Sequence, residues 1–381
     1  MKPNGSASSL AKRARHEPPA PDEAEVSLFG PGIGESAVVH LGGGDWIVID
    51  SCVETGTREP VAVKYLANLG LHSEHSLRLI IVSHWHDDHI RGISSVLQAA
   101  PHAVIACSAA LNSDEFFQLT AFSRRAMTEW PGTAEFEAVL AILEQRAPAG
   151  VRPAAIGPTW AVANQRLWQR SATGSIPSAE VYALSPSAAA LTLAINGFAD
   201  MLPVAGPARK LVALTPNQAA VAVWIVFGSF NILLGSDLEA STNPLIGWHA
   251  IITSQARPTG LAHVFKVPHH GSDDADEPAV WTTMLVPNPC AVLTPFIKGP
   301  SPLPRPTDIS RLKARTNELY CTAAPKGWAP PRRDPAVERT LRETVRARRA
   351  ISGPMGHVRI RAQHSAPNSL QVDLFNGAHR L

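Results

Sequence analysis

Six consecutive residues, His84-Trp85-His86-Asp87-Asp88-His89, carry the densest chemical potential in the chain. Two imidazoles stand at i and i+2, and a carboxylate and a third imidazole follow at once. Such a turn can aim His84, His86, Asp88 and His89 inward at two adjacent metal ions. Histidine nitrogen combined with carboxylate oxygen suits Zn²⁺, and also Mn²⁺ or Fe²⁺ where oxygen ligands are numerous. A bound divalent ion lowers the pKa of water so that hydroxide exists near neutral pH, and two ions together stabilise both the attacking and the leaving oxygens. That chemistry suits hydrolysis, and a phosphodiester in particular.

The elements around this segment are read from periodicity. Residues 77–82 form an apolar run that reads as a buried strand feeding directly into the histidines, so the cluster sits where a strand ends. Upstream, residues 25–29, 36–41 and 46–49 read as strands separated by Gly-rich turns, with Asp50 closing the third. Helices are expected over residues 59–69 and 93–99, a strand over 103–107, and helices over 112–147 broken at Pro131-Gly132. Further strands are expected near residues 180–184, 219–227, 231–234 and 264–267, and a final pair over 357–362 and 370–375. Alternation of strands and helices places the chain in the α/β class.

Composition limits the rest. At 381 residues, 45% hydrophobic and 17% charged, the chain can bury a large core without disulfides, and no apolar run is long enough to cross a bilayer. Its net charge of +2 excludes a uniformly basic nucleic-acid binder. The four cysteines lie far apart without a CxxC pair and read as buried thiols. The basic stretch Lys12-Arg13-Ala14-Arg15 is not followed by the apolar segment of a secretory signal, so a cytoplasmic protein is expected. Residues 1–24, rich in Ser, Ala, Pro and charge, are expected to form a disordered basic tail. A hydrolase domain is expected over 25–300, with a helical insertion over about 112–175. Residues 301–381 form a Pro- and Arg-rich extension that returns to the fold as terminal strands.

The segment Ser-His-Trp-His-Asp-Asp-His-Ile-Arg-Gly resembles the signature of the metallo-β-lactamase superfamily. The resemblance implies a four-layer αββα sandwich of two mixed β-sheets flanked by helices, and it gives other residues a place. Asp50 resembles the family's carboxylate that orients a ligand histidine. Asp237, closing Ile232-Leu233-Leu234-Gly235-Ser236, resembles the aspartate that bridges both metals. Lys266-Val267-Pro268-His269-His270-Gly271-Ser272 resembles the last motif, in which one of His269 and His270 completes the second metal site and the other donates a proton, contacts a phosphate or is merely packed. The motif leaves the choice open, and the expected centre takes His269 as the ligand and His270 as the assisting group. Where the family usually has a histidine after a Thr-Pro turn, this chain has Asn217, which leaves the first metal site open or weak. Asn217, Leu-Leu-Gly-Ser-Asp-Leu-Glu and Lys-Val-Pro-His-His-Gly-Ser together are similar to the hydrolase domain of the ComEC family of competence DNA-uptake proteins and its stand-alone relatives, which implies cleavage of DNA or another phosphodiester.

The expected centre therefore holds two divalent ions, Zn or Mn, on His84, His86, Asp88, His89, Asp237 and His269. Asp88 or Asp237 orients a hydroxide for attack on phosphorus, while His270 and Lys266 assist the departing or non-bridging oxygens. Arg332, Arg333, Arg346, Arg348 and Arg349 are candidates to lie along a nucleic-acid backbone, or to form a solvated helix face beside Glu338 and Glu343. Two alternatives compete with the nuclease reading. One is a small-molecule ester, lactone or lactam hydrolase of the same fold. The other is a metal-poor subunit acting with a partner protein, whose site has decayed from Asn217 onward.

Overall fold

The computed structural model describes residues 15–30, 34–126, 132–146, 157–202, 216–298, 301–327, 335–344 and 355–381. Along the chain run strands β1 (Glu23–Gly30), β2 (Ser36–Leu41), β3 (Trp46–Ile49), β4 (Leu77–Val82), β5 (Val104–Ser108) and β6 (Thr159–Ala161). Then come β7 (Gln165–Arg170), β8 (Ala179–Ala183), β9 (Val223–Phe227), β10 (Phe230–Leu234), β11 (Ala262–Lys266), β12 (Leu285–Leu293) and β13 (Leu319–Cys321). Last are β14 (Gly356–Gln363), β15 (Gln371–Phe375) and β16 (His379–Arg380). They form two eight-stranded sheets, in the orders β15-β14-β1-β2-β3-β4-β5-β6 and β16-β13-β12-β11-β10-β9-β8-β7. Both sheets are mixed: β3 to β6 run parallel in the first, and β10 to β13 in the second.

The central strands are apolar at nearly every position because both faces are covered, and the period of two decides which core each side chain enters. In β3, Trp46 and Val48 join the outer core under the helices, whereas Ile47 and Ile49 join the core between the sheets. In β10, Ile232 and Leu234 face the inter-sheet core and Leu233 faces the helices on the far side. Helices Val61–Asn68, Ile93–Ala99 and Thr133–Gln145 cover the first sheet through Leu66, Val96 and Phe136. Helices Gly247–Thr253, Pro278–Thr283 and Pro306–Lys313 cover the second through Trp248, Val280 and Leu312. The result is a four-layer αββα sandwich of the α/β class. No helix among the described residues is long and apolar enough to cross a membrane.

Two expectations change. The tail expected to be disordered to residue 24 ends earlier, since Glu23 and Ala24 belong to β1 and residues from Arg15 lie against the sheet. The reason is polar satisfaction: Arg359 and Arg361, buried on β14, donate to the carbonyls of Arg15 (3.2 Å) and Glu17 (2.5 Å). The helical insertion is also shorter than about 112–175, because its described helices, Asp114–Ala126 and Thr133–Gln145, are followed by β6 and β7. Between these strands Asn164 adopts a left-handed turn at φ 63° and the chain passes from one sheet to the other. Beyond residue 300, β14 pairs with β1 over the whole of both strands, from Glu23↔Gln363 to Gly30↔Gly356, and β13 extends the parallel run of the second sheet.

Candidate metal centre

The C-terminal ends of the parallel strands in both sheets meet at one edge of the sandwich, the position where open α/β sheets place their sites. Asp50 follows β3 and Ser83 follows β4, and their parallel pairing sets the two side by side. Asp50 Oδ1 accepts the Ser83 N–H (2.8 Å), and its Oδ2 accepts the Ser83 hydroxyl (2.7 Å) and His89 Nδ1 (2.7 Å). His89, fully buried, thus has its tautomer fixed, and its Nε2 faces Asp237 Oδ2 at 3.2 Å and Asp88 Oδ2 at 3.8 Å.

The second sheet supplies the other half. Asp237 stands in the turn after β10, and His270 stands in the turn after β11. Nδ1 of His270 donates to the Thr294 carbonyl (2.9 Å) beyond β12, which leaves its Nε2 at 3.4 Å from Asp88 Oδ2 and 3.6 Å from Asp237 Oδ2. One ligand atom from each of Asp88, His89, Asp237 and His270 lies within 4.8 Å of all the others.

Beside this group, His84 Nε2 and His86 Nδ1 face each other at 3.1 Å, and the His84 and His89 rings are 4.3 Å apart. Asn217, in place of the histidine that the family usually has, is held by other groups. Its Nδ2 donates to Glu239 Oε1 (3.0 Å) and lies 3.4 Å from His269 Nε2, while its buried Oδ1 has no hydrogen-bond partner among the described residues.

Charge sharpens the contrast between the two positions. Burial, reinforced by the neighbouring imidazoles, holds His84 well below its ordinary pKa, and burial lowers His86 as well, so both present neutral nitrogen. At His89 burial also opposes the charge, but Asp237, Asp88 and Asp50 outweigh it and hold the ring well above its ordinary value. His270 is raised in the same way against its burial, chiefly by Asp237 and Asp88. The carboxylates therefore demand a cation at the point where these ligand atoms converge. His89 Nε2 and Asp237 Oδ1, both buried, lack a hydrogen-bond partner among the described residues. Two oriented imidazoles, two carboxylates and this unmet demand fit a divalent metal ion.

The structure brings together most of the expected residues, with two changes of role. His270 occupies the ligand place expected of His269. Both residues sit at positive φ, 45° and 53°, and this double left-handed turn swings His269 outward, where its Nδ1 hydrogen-bonds Asp274 (2.8 Å) in a separate group with Glu239. Lys266 cannot reach a substrate oxygen: it is 2% exposed, and its ammonium is ion-paired with Glu35 and donates to the Ser236 carbonyl (2.7 Å). Arg332, Arg333, Arg346, Arg348 and Arg349 lie outside the described residues. Glu35, Thr294, Glu239 and Asp274 were not singled out from the sequence. Glu35 had a signal, an acid placed between a Gly-rich turn and an apolar strand, and Glu239 closes the quoted Leu-Leu-Gly-Ser-Asp-Leu-Glu segment; Thr294 acts through its backbone, which no residue type reports.

The family model of the metallo-beta-lactamase superfamily matches residues 29–144, which include Asp50 and the histidine cluster. No curated protein matches the chain. Among solved structures, the chain is similar to the metallo-beta-lactamase fold protein YhfI from Bacillus subtilis, at 13% identity over 81% of this chain and 98% of that one, with a TM-score of 0.36. It is also similar to the Rm3 metallo-beta-lactamase, at 14% identity over 68% of this chain and 81% of that one (TM-score 0.30). A metallo-beta-lactamase of Cronobacter sakazakii with a HARLDQ motif shows 16% identity over 57% of this chain and 61% of that one (TM-score 0.31). The family-model match, together with the two mixed β-sheets flanked by helices, identifies the architecture as the metallo-β-lactamase fold.

Proposed function

We propose that this chain is a divalent-metal-dependent phosphodiesterase acting on nucleic acid, similar to the hydrolase module of the competence DNA-uptake family. The observation that carries the hydrolase reading is the convergence of Asp88, His89, Asp237 and His270, drawn from both sheets, with the two imidazoles oriented by Asp50 and by the Thr294 carbonyl. The choice of a phosphodiester rests on the Lys266 to Ser272 motif combined with Asn217 and the Leu234 to Glu239 segment.

Those four residues would hold one ion, and His84 and His86, sharing Asp237, would hold a second and more exchangeable one. Zn²⁺ and Mn²⁺ both suit this donor set, and either supplies Lewis acidity and activates water near neutral pH. The chain's own groups do the rest. Asp50 keeps the His89 Nδ1 proton, so that Nε2 presents its lone pair, and the Thr294 carbonyl does the same for His270. In the metal-free chain the protonated rings of His89 and His270 keep Asp88 and Asp237 ionised against their burial, a role that a bound cation would take over. His269, with Asp274 on Nδ1 and Asn217 beside its Nε2, would be the group that assists a leaving oxygen. Trp85, between His84 and His86, packs edge-on against Phe116 and Phe198 and so anchors that loop in the core.

Purified protein should cleave single-stranded DNA, duplex DNA, RNA or a bis-aryl phosphodiester on addition of Mn²⁺ or Zn²⁺, and His89→Ala should abolish cleavage. Hydrolysis of a lactone or a β-lactam instead, lost in the same variant, would transfer the site to small-molecule substrates. Absence of any His89-dependent cleavage would overturn the nuclease reading.

A further inference from the structure

Lys266 and Glu35 form an ion pair between the two sheets directly behind the centre, at 2% and 3% exposure. Lys266 ends β11, and Glu35 immediately precedes β2. A buried pair of this kind contributes little net stability over a well-packed apolar pair, because desolvating two charges offsets their attraction. Its position is more informative than its strength.

The ammonium is ion-paired with Glu35, donates to the Ser236 carbonyl (2.7 Å) and lies 3.6 Å from Asp237 Oδ1, a charge contact without a hydrogen bond. Ser236 is held at φ 48°, a left-handed conformation that a residue with a Cβ adopts at a cost. Its carbonyl also accepts the His269 N–H (3.0 Å), so this one oxygen ties the turn that carries Asp237 to the turn that carries His270. From the other sheet, the Glu35 backbone N–H donates to the Asp88 carbonyl (3.0 Å), and its carboxylate lies 3.7 Å from His89 Nδ1. Every ligand of the four-residue group is therefore one or two contacts from this pair, yet neither partner contributes a ligand atom to that group.

We propose that the Glu35–Lys266 pair is the positioning strut that sets the spacing between the half-site of Asp88 and His89 on one sheet and the half-site of Asp237 and His270 on the other. The inference rests on the metal-centre reading above. Lysine suits the task because its compact ammonium places one point charge between the Glu35 carboxylate, the Ser236 carbonyl and Asp237.

Zn²⁺ and Mn²⁺ titrations by calorimetry, together with thermal unfolding of the metal-free protein, separate positioning from stability. Glu35→Gln and Lys266→Met each strand a buried charge and should lower Tm. The double variant Glu35→Gln/Lys266→Met strands none and should regain Tm relative to both singles, while its metal Kd stays about 10- to 100-fold above wild type, the usual effect of losing a partner that orients ligands. A double variant that binds metal within about threefold of wild type overturns the strut. If the double variant does not regain Tm, Glu35→Asp decides: it keeps both charges but shortens one arm, so about tenfold weaker binding at near wild-type Tm supports the proposal and unchanged binding overturns it. Wild-type protein that binds neither ion overturns the metal-centre reading itself, a result distinct from either outcome in the variants.

Discussion

At the scale of single residues, the adjacent histidines after β11 divide the work, and the division is measurable. His270 Nε2 belongs to the four-ligand group and its Nδ1 is committed to Thr294, whereas His269 lies outside that group, on Asp274. His270→Ala should weaken the tighter metal by at least about tenfold, and His269→Ala should leave its affinity within about threefold, as metal titration followed by elemental analysis will show. The reverse ranking would restore the ligand role to His269. The sequence narrowed this position to a pair but not to a member, because which imidazole points inward depends on two consecutive left-handed residues that no side-chain pattern encodes. Asp50 and Asp237, by contrast, were legible through the family resemblance, because each ends or closely follows an apolar strand and so falls at a recognisable motif position. A second residue-scale prediction concerns His40, on β2. Its Nδ1 donates to the Glu23 carbonyl (2.8 Å) and its Nε2 accepts from the Gly44 N–H (3.3 Å), an arrangement that only the neutral ring completes. Burial pulls its pKa down to about 4 from the ordinary 6.5. Its folded value lies below its unfolded one, so its contribution is fully present above pH 6.5 and is lost as pH falls toward 4, for a total of about 3 kcal/mol. Denaturant unfolding at pH 7 and pH 4 should show wild type losing about that much more than His40→Gln, and equal losses would refute the assignment.

At the scale of elements, the helical insertion braces the histidine loop. Glu135, on helix Thr133–Gln145, accepts the N–H groups of Gly92 (3.0 Å) and Ser94 (3.2 Å) and the Ser94 hydroxyl (2.7 Å), and so serves as a remote cap for helix Ile93–Ala99, which begins just after His89. Gly132, at φ 83°, passes so close that a Cβ would lie 1.8 Å from the Trp85 carbonyl. Glu135→Gln should cost about 1–2 kcal/mol, the size of a lost cap. Gly132→Ala should cost more, about 2–4 kcal/mol, because the loop between His84 and His86 must shift. Chemical denaturation measures both, and a neutral Gly132→Ala would show that the brace is not rigid. The long apolar strands and the paired helices over residues 112–147 could be read from pattern alone. The short strands β6 and β7 could not, because Thr159–Ala161 is only one turn of side chains long and Gln165–Arg170 lies on a sheet edge, half exposed, with a polar residue at most positions.

At the scale of the whole molecule, the centre exists only when both sheets are packed together. Asp88 and His89 arrive with the first sheet, Asp237 and His270 with the second, and the inter-sheet core of Val48's neighbours Ile47 and Ile49 against Ile232, Leu234 and Val264 holds them in register. The last strands take part in the same packing: β14 lies between β1 and β15, and its Arg361 reaches the buried Glu25 (2.7 Å). An ion that binds across the two sheets binds the folded chain and not the unfolded one, so metal affinity and global stability are one linked equilibrium. At a free metal concentration about 100 times Kd, the folded state should gain about 2.7 kcal/mol, and the gain should grow by about 1.4 kcal/mol for each further tenfold in metal. Chelation should return the midpoint of unfolding to its metal-free value. A site that the unfolded chain kept equally well would lack this concentration dependence, so a Tm that stays constant across a thousandfold range of Zn²⁺ or Mn²⁺ above Kd would mean that the folded packing of the two sheets does not build the site.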